Sequence, residues 1–509
     1  MRPKPKKTNL TGGGATALPK LARPKPGLAA KETLATIQRR ATAQGFRHKL
    51  PEAQRYLVTA AQNATPTDAA FLASLKTYAK ANAAELVVIP FRYKNLSLFY
   101  QKGDDIEWWA DELEPYMFAG RANFGNVAIM GDVKTAATAS KPLAGKDALS
   151  HAPSGIFGHP KLQLRTVPVP TGQYPKIMTT TGACTAMSYS DSALGTLGEF
   201  HHTMGAALLE FENDGKSFHL RQINANEKGE FIDLDRQYAP GVAGPAARAQ
   251  ALVLGDWHKD FTLPSVEHAT FGPGGMVEVL RPEVIAWHDL DDNYSVNPHH
   301  KGDFFRAAGK FEYGRADARA EMERACGYVL EHTPKDTLSV IVPSNHNDFL
   351  ARWLLATDPR TLDMSNRSFW CETTLAVEGT TKLTQRGIEY VDAFTYWAKK
   401  YFAGCGNVRV LERGESYSVA DIELGLHFDR GPNGSRGSLQ NLRRIGVKVM
   451  GGHGHGPGID EGGMQVGTAT GPLEYTVGSP SGWLNTHGVI YASGKRSLLN
   501  IIGNDWRVT

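Results

Sequence analysis

Apolar residues recur along this chain in two different periods, and the alternation between them predicts its elements. RYLVTAAQ (55–62) and ELVVIPFRY (85–93) are short strand-like runs, and between them AAFLASLKTYAKANA spaces its apolar side chains helically behind Thr67 and Asp68, a helix-start pair. Strand, helix and strand predict a βαβ unit. NVAIMGDV, QLRTVPVP and KIMTTTGA extend this N-terminal α/β region. From Ala206 to Tyr238 the texture changes: AALLEF, FHLRQI and EFIDL are separated by Asn213-Asp214-Gly215 and by a turn ending at Gly229, which predicts an antiparallel meander. The Pro/Gly-rich piece from Pro240 to Pro245 marks the expected domain boundary. Beyond it QALVLG, EVIAWH, LSVIVP, ADIELGL and VKVMGG alternate with helical stretches, among them 315–331 and 386–401, which predicts a layered α/β domain.

Charge divides the chain differently. Residues 1–49 carry twelve Lys and Arg against the single acid Glu32, a net +11, so the remaining 44 bases and 51 acids give −7. The first stretch is rich in Pro, Lys, Gly and Ala and is expected to be a disordered tail. The expected organisation is therefore a basic tail (1–49), an N-terminal α/β domain of unassigned role (50–245) and a second α/β domain (246–509). With 41% hydrophobic residues and no apolar run near the ~20 residues of a membrane span, a soluble protein is expected, with no membrane partner. The N-terminus lacks the apolar core of a signal peptide. Cys184, Cys326, Cys371 and Cys405 are widely spaced with no CxxC, which suggests neither disulfides nor a thiolate zinc site and fits a reducing cytoplasm.

The chemistry lies where the C-terminal strand-like runs end. Each of the five is followed by residues of metal-ligand type: Asp256 and His258 in LGDWHKD, Asp289 in WHDLDD, Asn345 in PSNHND, His427 in GLHFD, and His453 and His455 in GGHGHG. Loops at the carboxyl ends of strands are where open α/β sheets build sites, so seven oxygen and imidazole ligands can converge. A mixed Asp, His and Asn set suits Mn, Fe, Zn or Co, whereas an all-oxygen cage would suggest Mg or Ca. Seven ligands are too many for one tetrahedral ion and about right for two ions sharing a carboxylate, the geometry of phosphoryl displacement.

The order D-x-H, HDLDD, NH, H, H-G-H resembles the calcineurin-like metallophosphoesterase family over residues 248–509. That resemblance implies an αββα-type metallophosphoesterase sandwich. One ion would be held by Asp256, His258 and His455, the other by Asn345, His427 and His453, with Asp289 bridging. It further implies two divalent ions, Mn first with Mg, Fe, Zn and Co as alternatives, and a metal-bridging hydroxide that attacks phosphorus while His346 protonates the leaving oxygen. His288 stands where the family usually has Gly before the bridging Asp. Asn347 follows His346, with Asp348 one place later, so either Asp348 or Asp292 is the carboxylate that positions His346. HDLDDNYSVNPHH, VPSNHNDF and GPNGSRGS are also similar to large metallophosphoesterases of tailed bacteriophages, some of them DNA-degrading nucleases, which implies action in the host bacterial cytoplasm.

The expected function is thus a two-metal phosphoesterase cutting DNA with little sequence preference, the basic tail adding sequence-independent affinity for the polyanion. A phosphomonoesterase or nucleotide phosphatase using the same centre is the enzymatic alternative, and a DNA-binding host-takeover factor with a structural metal site is another. A homo-oligomer is compatible with either. His299 and His300 in NPHHK, and Arg430 and Arg436 in the glycine-rich loop after His427, are candidate substrate contacts, each weighed against an ordinary polar turn. His487 is either a group that supports the ligands from behind or, by slight preference, a surface residue, and His201 and His202 read as structural. No GxSxG, GxGxxG or GxxxxGK[ST] motif is present.

Overall fold

The computed structural model describes residues 46–93 and 108–508. The opening βαβ forms as the periodicity predicts. Arg55–Gln62 and Glu85–Phe91 pair in parallel, with Tyr56 opposite Glu85 and Gln62 opposite Phe91, and the helix Ala69–Ala81 connects them. The Asp68 carboxylate accepts from Phe71 N at 2.8 Å, satisfying a donor that the first helical turn leaves open. Gly205–Phe211 and Phe218–Asn224 complete a four-stranded sheet by antiparallel pairing.

The third run of the expected meander departs from it. Phe231–Asp233 pairs with Arg236–Ala239, which pairs with Val242–Pro245, in a separate three-stranded sheet. Phe231 is the reason. Its ring packs on Tyr238 at 5.3 Å and on Tyr78 of the helix at 6.0 Å, so the segment buries its aromatic face over the helix instead of extending the sheet.

Val242–Pro245 is therefore a strand rather than a linker, and no break separates 50–245 from 246–509. Gly458–Asp460 pairs antiparallel with Gln163–Val167, Ile459 opposite Leu164, inside a ten-stranded sheet to which both halves contribute. The described residues accordingly cluster as one compact unit. Order also begins before residue 50. Phe46 packs edge-on against Trp109 at 5.3 Å, and Arg47 Nη2 donates to Leu86 O and Tyr116 O at 3.0 and 3.1 Å. Residues 1–45 of the expected tail lie outside the described residues.

The five ligand-bearing runs divide between two sheets. Ala251–Val253, Val284–Trp287 and Leu338–Ile341 are neighbouring parallel strands of a six-stranded sheet, ordered Val408–Val410, Leu338–Ile341, Val284–Trp287, Ala251–Val253, Thr486–Ile490, Arg496–Asn500. Ile422–Glu423 and Lys448–Gly451 pair in parallel within the ten-stranded sheet. Successive strand residues face opposite layers. Val253, Ala286 and Val340 share one core with Leu424, Met450 and Val466 of the other sheet, while Leu252, Ile285 and Ile341 share a second with helix residues such as Met322, Val329 and Phe394. This is a mixed α/β fold in layers, with helices on the outer face of the six-stranded sheet.

Those outer helices begin at capping aspartates. Ala318–His332 starts behind Asp317, whose carboxylate accepts from Ala320 N at 3.0 Å, and Ala393–Tyr401 behind Asp392, which accepts from Thr395 N at 3.0 Å. The expected helix over 386–401 is thus shorter, and Gly387–Glu389 pairs with Lys382–Thr384 as a hairpin. Gly387, with φ of 115°, occupies backbone space that side chains rarely adopt. Among the described residues no helix is long and apolar enough to cross a membrane.

Candidate metal centre

The ligand-type residues converge just beyond the strand ends, where the connecting loops continue to pair. Trp257 N, His258 N and Lys259 N donate to His288 O, Asp289 O and Leu290 O at 2.9, 2.7 and 3.0 Å, and Asp256 N donates to Gly467 O at 3.1 Å. Four ligand-type residues in these loops hold left-handed backbone: His258 (φ 44°), Asp289 (41°), His453 (74°) and His455 (55°). Non-glycine residues adopt this region at a cost, and such strain gathers where surrounding structure imposes a functional geometry.

Asp256, His258, Asp289 and His455 are all buried, and one ligand atom from each lies within 4.8 Å of every other. His455 Nε2 sits 2.9 Å from Asp256 Oδ2, and His258 Nε2 sits 3.4 Å from His455 Nε2 and 3.8 Å from Asp289 Oδ2. His453 N donates to both Asp256 oxygens, at 3.0 and 2.8 Å. The remaining ligand-type residues join pairwise. His427 Nε2 lies 3.0 Å from Asp289 Oδ2, and Asn345 Oδ1 lies 3.0 Å from His453 Nδ1.

Both oxygens of Asp289 are buried without a hydrogen-bond partner, and His427 Nε2, close as it is, also makes no hydrogen bond. A buried carboxylate stripped of donors is costly. Lone pairs of carboxylate and imidazole gathered around one volume without donors fit a cation. This buried cluster of Asp and His residues can bind a metal ion.

The electrostatics agree. Burial opposes ionisation of Asp256 and Asp289, yet His427 first, with the other site histidines, outweighs it and holds both carboxyls below their ordinary value. His288 is fully buried behind the cluster, its Nδ1 3.3 Å from that of His427, and burial followed by the His427 charge lowers its pKa to about 3. It is a neutral wall of the site.

His346 is brought to the same place. Its Nδ1 lies 3.1 Å from Asp292 Oδ1, the oxygen that His258 Nδ1 approaches at 2.9 Å, and the two rings meet edge-on at 4.7 Å. Burial would lower the His346 pKa, but Asp289 and then Asp292 outweigh it and raise it to about 10. Asp292, and not Asp348, is therefore the carboxylate that faces His346, whose Nδ1 also lies 3.1 Å from the Asp292 backbone carbonyl. Asp348 turns away, its oxygens receiving Arg413 Nη2 at 3.0 Å and Arg430 Nη2 at 2.8 Å.

The four candidate substrate contacts lie outside this cluster. His299 is exposed, with its ring 5.6 Å from that of Phe349, which packs 4.7 Å from His346. His300 faces Glu474 at 3.9 Å and lines a neighbouring cavity of about 670 Å³ with Lys310, Arg352 and Trp353. Arg430 is spent on Asp348, and Arg436 meets Arg430 through a backbone bridge. His487 is not a surface residue: it is fully buried, accepts from Gly255 N at 2.8 Å and lies 2.9 Å from Thr270 Oγ1, bracing the backbone next to Asp256. His202 is structural as expected, held between Tyr189 Oη at 2.7 Å and Thr185 O at 3.0 Å.

Three features of the site carried no signal in the sequence. Arg413 bridges Asp348 and Asp429 and donates to Pro343 O and Ser344 O, clamping the loop that presents Asn345. Gly452 leaves room for Asp256, since a Cβ there would fall 2.0 Å from Oδ1. Trp483 packs edge-on against His455 at 4.1 Å, with Tyr475 5.7 Å beyond it.

Protein A1 of Escherichia phage T5 is 30% identical to this chain over 470 residues, covering 89% of the chain and 82% of the phage protein. The chain belongs to the Protein A1 family. Because residues 246–509 make up only about half of the chain, that similarity to Protein A1 necessarily extends well into the N-terminal half. No protein-family model and no solved structure matches the chain.

Proposed function

We propose that this member of the Protein A1 family is a two-metal phosphoesterase that hydrolyses DNA. The observation that carries the reading is Asp289, whose two carboxylate oxygens are buried without a donor between His258 on one side and His427 on the other. Asp256, His258 and His455 would hold one ion, Asn345, His427 and His453 the other, with Asp289 between them. The layered sheets with outer helices, and the ordered set of ligand loops at their carboxyl ends, support the calcineurin-like metallophosphoesterase sandwich as the architecture.

Bound divalent ions, Mn foremost, supply an acidified water and offset charge on the phosphate oxygens. The chain's own groups do the rest. Asp292 Oδ1 faces Nδ1 of both His258 and His346, which favours the proton on Nδ1 in each. That frees Nε2 of His258 for the ligand cluster and leaves Nε2 of His346 to hold a proton for the departing oxygen. His288 and the sheet cores exclude water from behind.

The test is incubation of plasmid and linear DNA with Mn, Mg, Zn or Co, and with EDTA. Cleavage that requires a divalent ion and is lost in His346→Ala and Asp289→Asn, with circular dichroism unchanged, is the expected result. DNA left intact with every ion overturns the reading. Ready turnover of p-nitrophenyl phosphate without DNA cleavage would indicate a phosphomonoesterase instead.

A further inference from the structure

We infer that Tyr475, backed by Trp483, is a base-stacking shelf beside the metal centre, so that the preferred substrate presents an unpaired nucleobase next to the scissile phosphate. This rests on the phosphodiesterase reading of the centre and adds to it a substrate class, single-stranded or frayed DNA.

Trp483 touches the ligand-type residue His455 directly, at 4.1 Å between ring centroids, and Leu484 N donates to His455 O at 3.2 Å. Tyr475 meets Trp483 at 5.7 Å with the rings 69° apart, yet remains 68% exposed. Packed edge-on against Trp483, the ring leaves most of its surface open at the edge of a buried charged cluster.

The loop that carries it is tied down. Glu474 accepts from Tyr294 Oη at 2.7 Å, pairs with Arg306 Nε at 2.8 Å and faces His300 Nε2 at 3.9 Å. At the other end Ser481 exchanges backbone hydrogen bonds with Val169 at 3.0 and 2.9 Å. Tyr475 is therefore held ready before any ligand arrives, which reduces the ordering cost of stacking. Every base offers a π-face, so such a shelf selects for unpaired bases without reading sequence. A base within a duplex has its faces occupied by its neighbours, and only extrusion or fraying would free one.

The experiment uses the full chain in EDTA, so that binding is measured without turnover. Two single-stranded oligonucleotides of equal length and charge are titrated, one with 2-aminopurine among ordinary bases and one with abasic sites at the central positions. The wild-type chain should bind the base-bearing strand at least about fivefold more tightly and quench its 2-aminopurine fluorescence, stacking on exposed aromatics being worth that much or more. Tyr475→Ala and Tyr475→Leu should bring its affinity to the abasic level, and Tyr475→Phe should preserve the preference. Equal wild-type affinities, absence of quenching, or a preference that survives both Tyr475→Ala and Tyr475→Leu overturns the shelf. A chain inactive on all DNA that still shows the Tyr475-dependent preference removes the nuclease reading and keeps the shelf, and an active nuclease without the preference does the reverse.

Discussion

Replacing Gly452 by Ala should weaken ion binding at least about tenfold without unfolding the protein. A Cβ at this position would lie 2.0 Å from Asp256 Oδ1 and 3.1 Å from His288 Cβ. Neither neighbour has room to yield. Asp256 and His288 are both fully buried, and the Asp256 carboxylate is held by His453 N, the residue after the glycine. Even reaching the 3.0 Å floor of real Cβ contacts requires a shift of about 1 Å, whereas metal ligands tolerate roughly 0.2 Å. Overpacking of this kind costs about 1–3 kcal/mol, which a chain with two large sheet cores should survive. Mn affinity should fall by at least about tenfold, on the scale of removing a group that orients a ligand. Isothermal titration of Mn into wild type and Gly452→Ala, with thermal melting in EDTA, measures both quantities. Gly309→Ala serves as the control, since its Cβ would meet nothing within 4 Å. Should Gly452→Ala fold and bind Mn within about threefold of wild type, Asp256 is not a ligand in this geometry and the argument fails.

Asp292→Asn should lower turnover about 10- to 100-fold, because it removes the carboxylate charge that faces Nδ1 of both His258 and His346 and leaves His346 only the Asp292 backbone carbonyl, whereas Asp348→Asn, which frees only Arg413 and Arg430, should have a smaller effect. Steady-state rates on one oligonucleotide with saturating Mn compare them, and equal losses would refute the assignment of Asp292. Deletion of residues 1–45, ten bases and one acid for a net +9, should weaken DNA binding and flatten its salt dependence by up to roughly 0.9 in log–log slope per phosphate released, with no change in Mn affinity. The cut belongs at 45 rather than 49 because Arg47 is bonded into the fold, and an unchanged slope would show that the tail does not touch DNA.

The ligands were legible because each follows a strand-like run by one to three residues, a local pattern that survives folding. Helix starts were legible for the same reason, since Asp68 acts within three residues of its own position. Sheet membership was not. Val253 and Met450 look alike in sequence, yet they enter different sheets that meet across one core. The choice between Asp292 and Asp348 was equally hidden, because both lie three residues from a ligand and it is the long-range reach of Arg413 and Arg430 that draws Asp348 away. His487 failed as a surface residue because its partners, Gly255 and Thr270, are more than 200 residues distant. Tyr475 and Trp483 lie in a segment with no periodicity, where an aromatic residue announces nothing until its neighbours are known.

The backbone of the ligand loops leads to a last expectation. Four residues at positive φ, His258, Asp289, His453 and His455, each carry about 1–2 kcal/mol of strain, or about 4–8 kcal/mol together, a sum comparable with the whole stability of many domains. The strand ends and their continued pairing impose that geometry, but the unpartnered Asp289 carboxylate adds to its cost in the metal-free protein. An ion that binds these ligands should therefore stabilise the loops before it stabilises the sheets. Hydrogen exchange with and without Mn is the measurement. Amides of 288–290 and 452–456 should gain protection on adding Mn, while those of Ala251–Val253 and Val284–Trp287, already buried between layers, should change little. Uniform protection across loops and strands would mean that the ion acts on global unfolding alone. Loops equally protected in EDTA would mean that the strain is borne without it, and the coupling between ion and loop would be refuted.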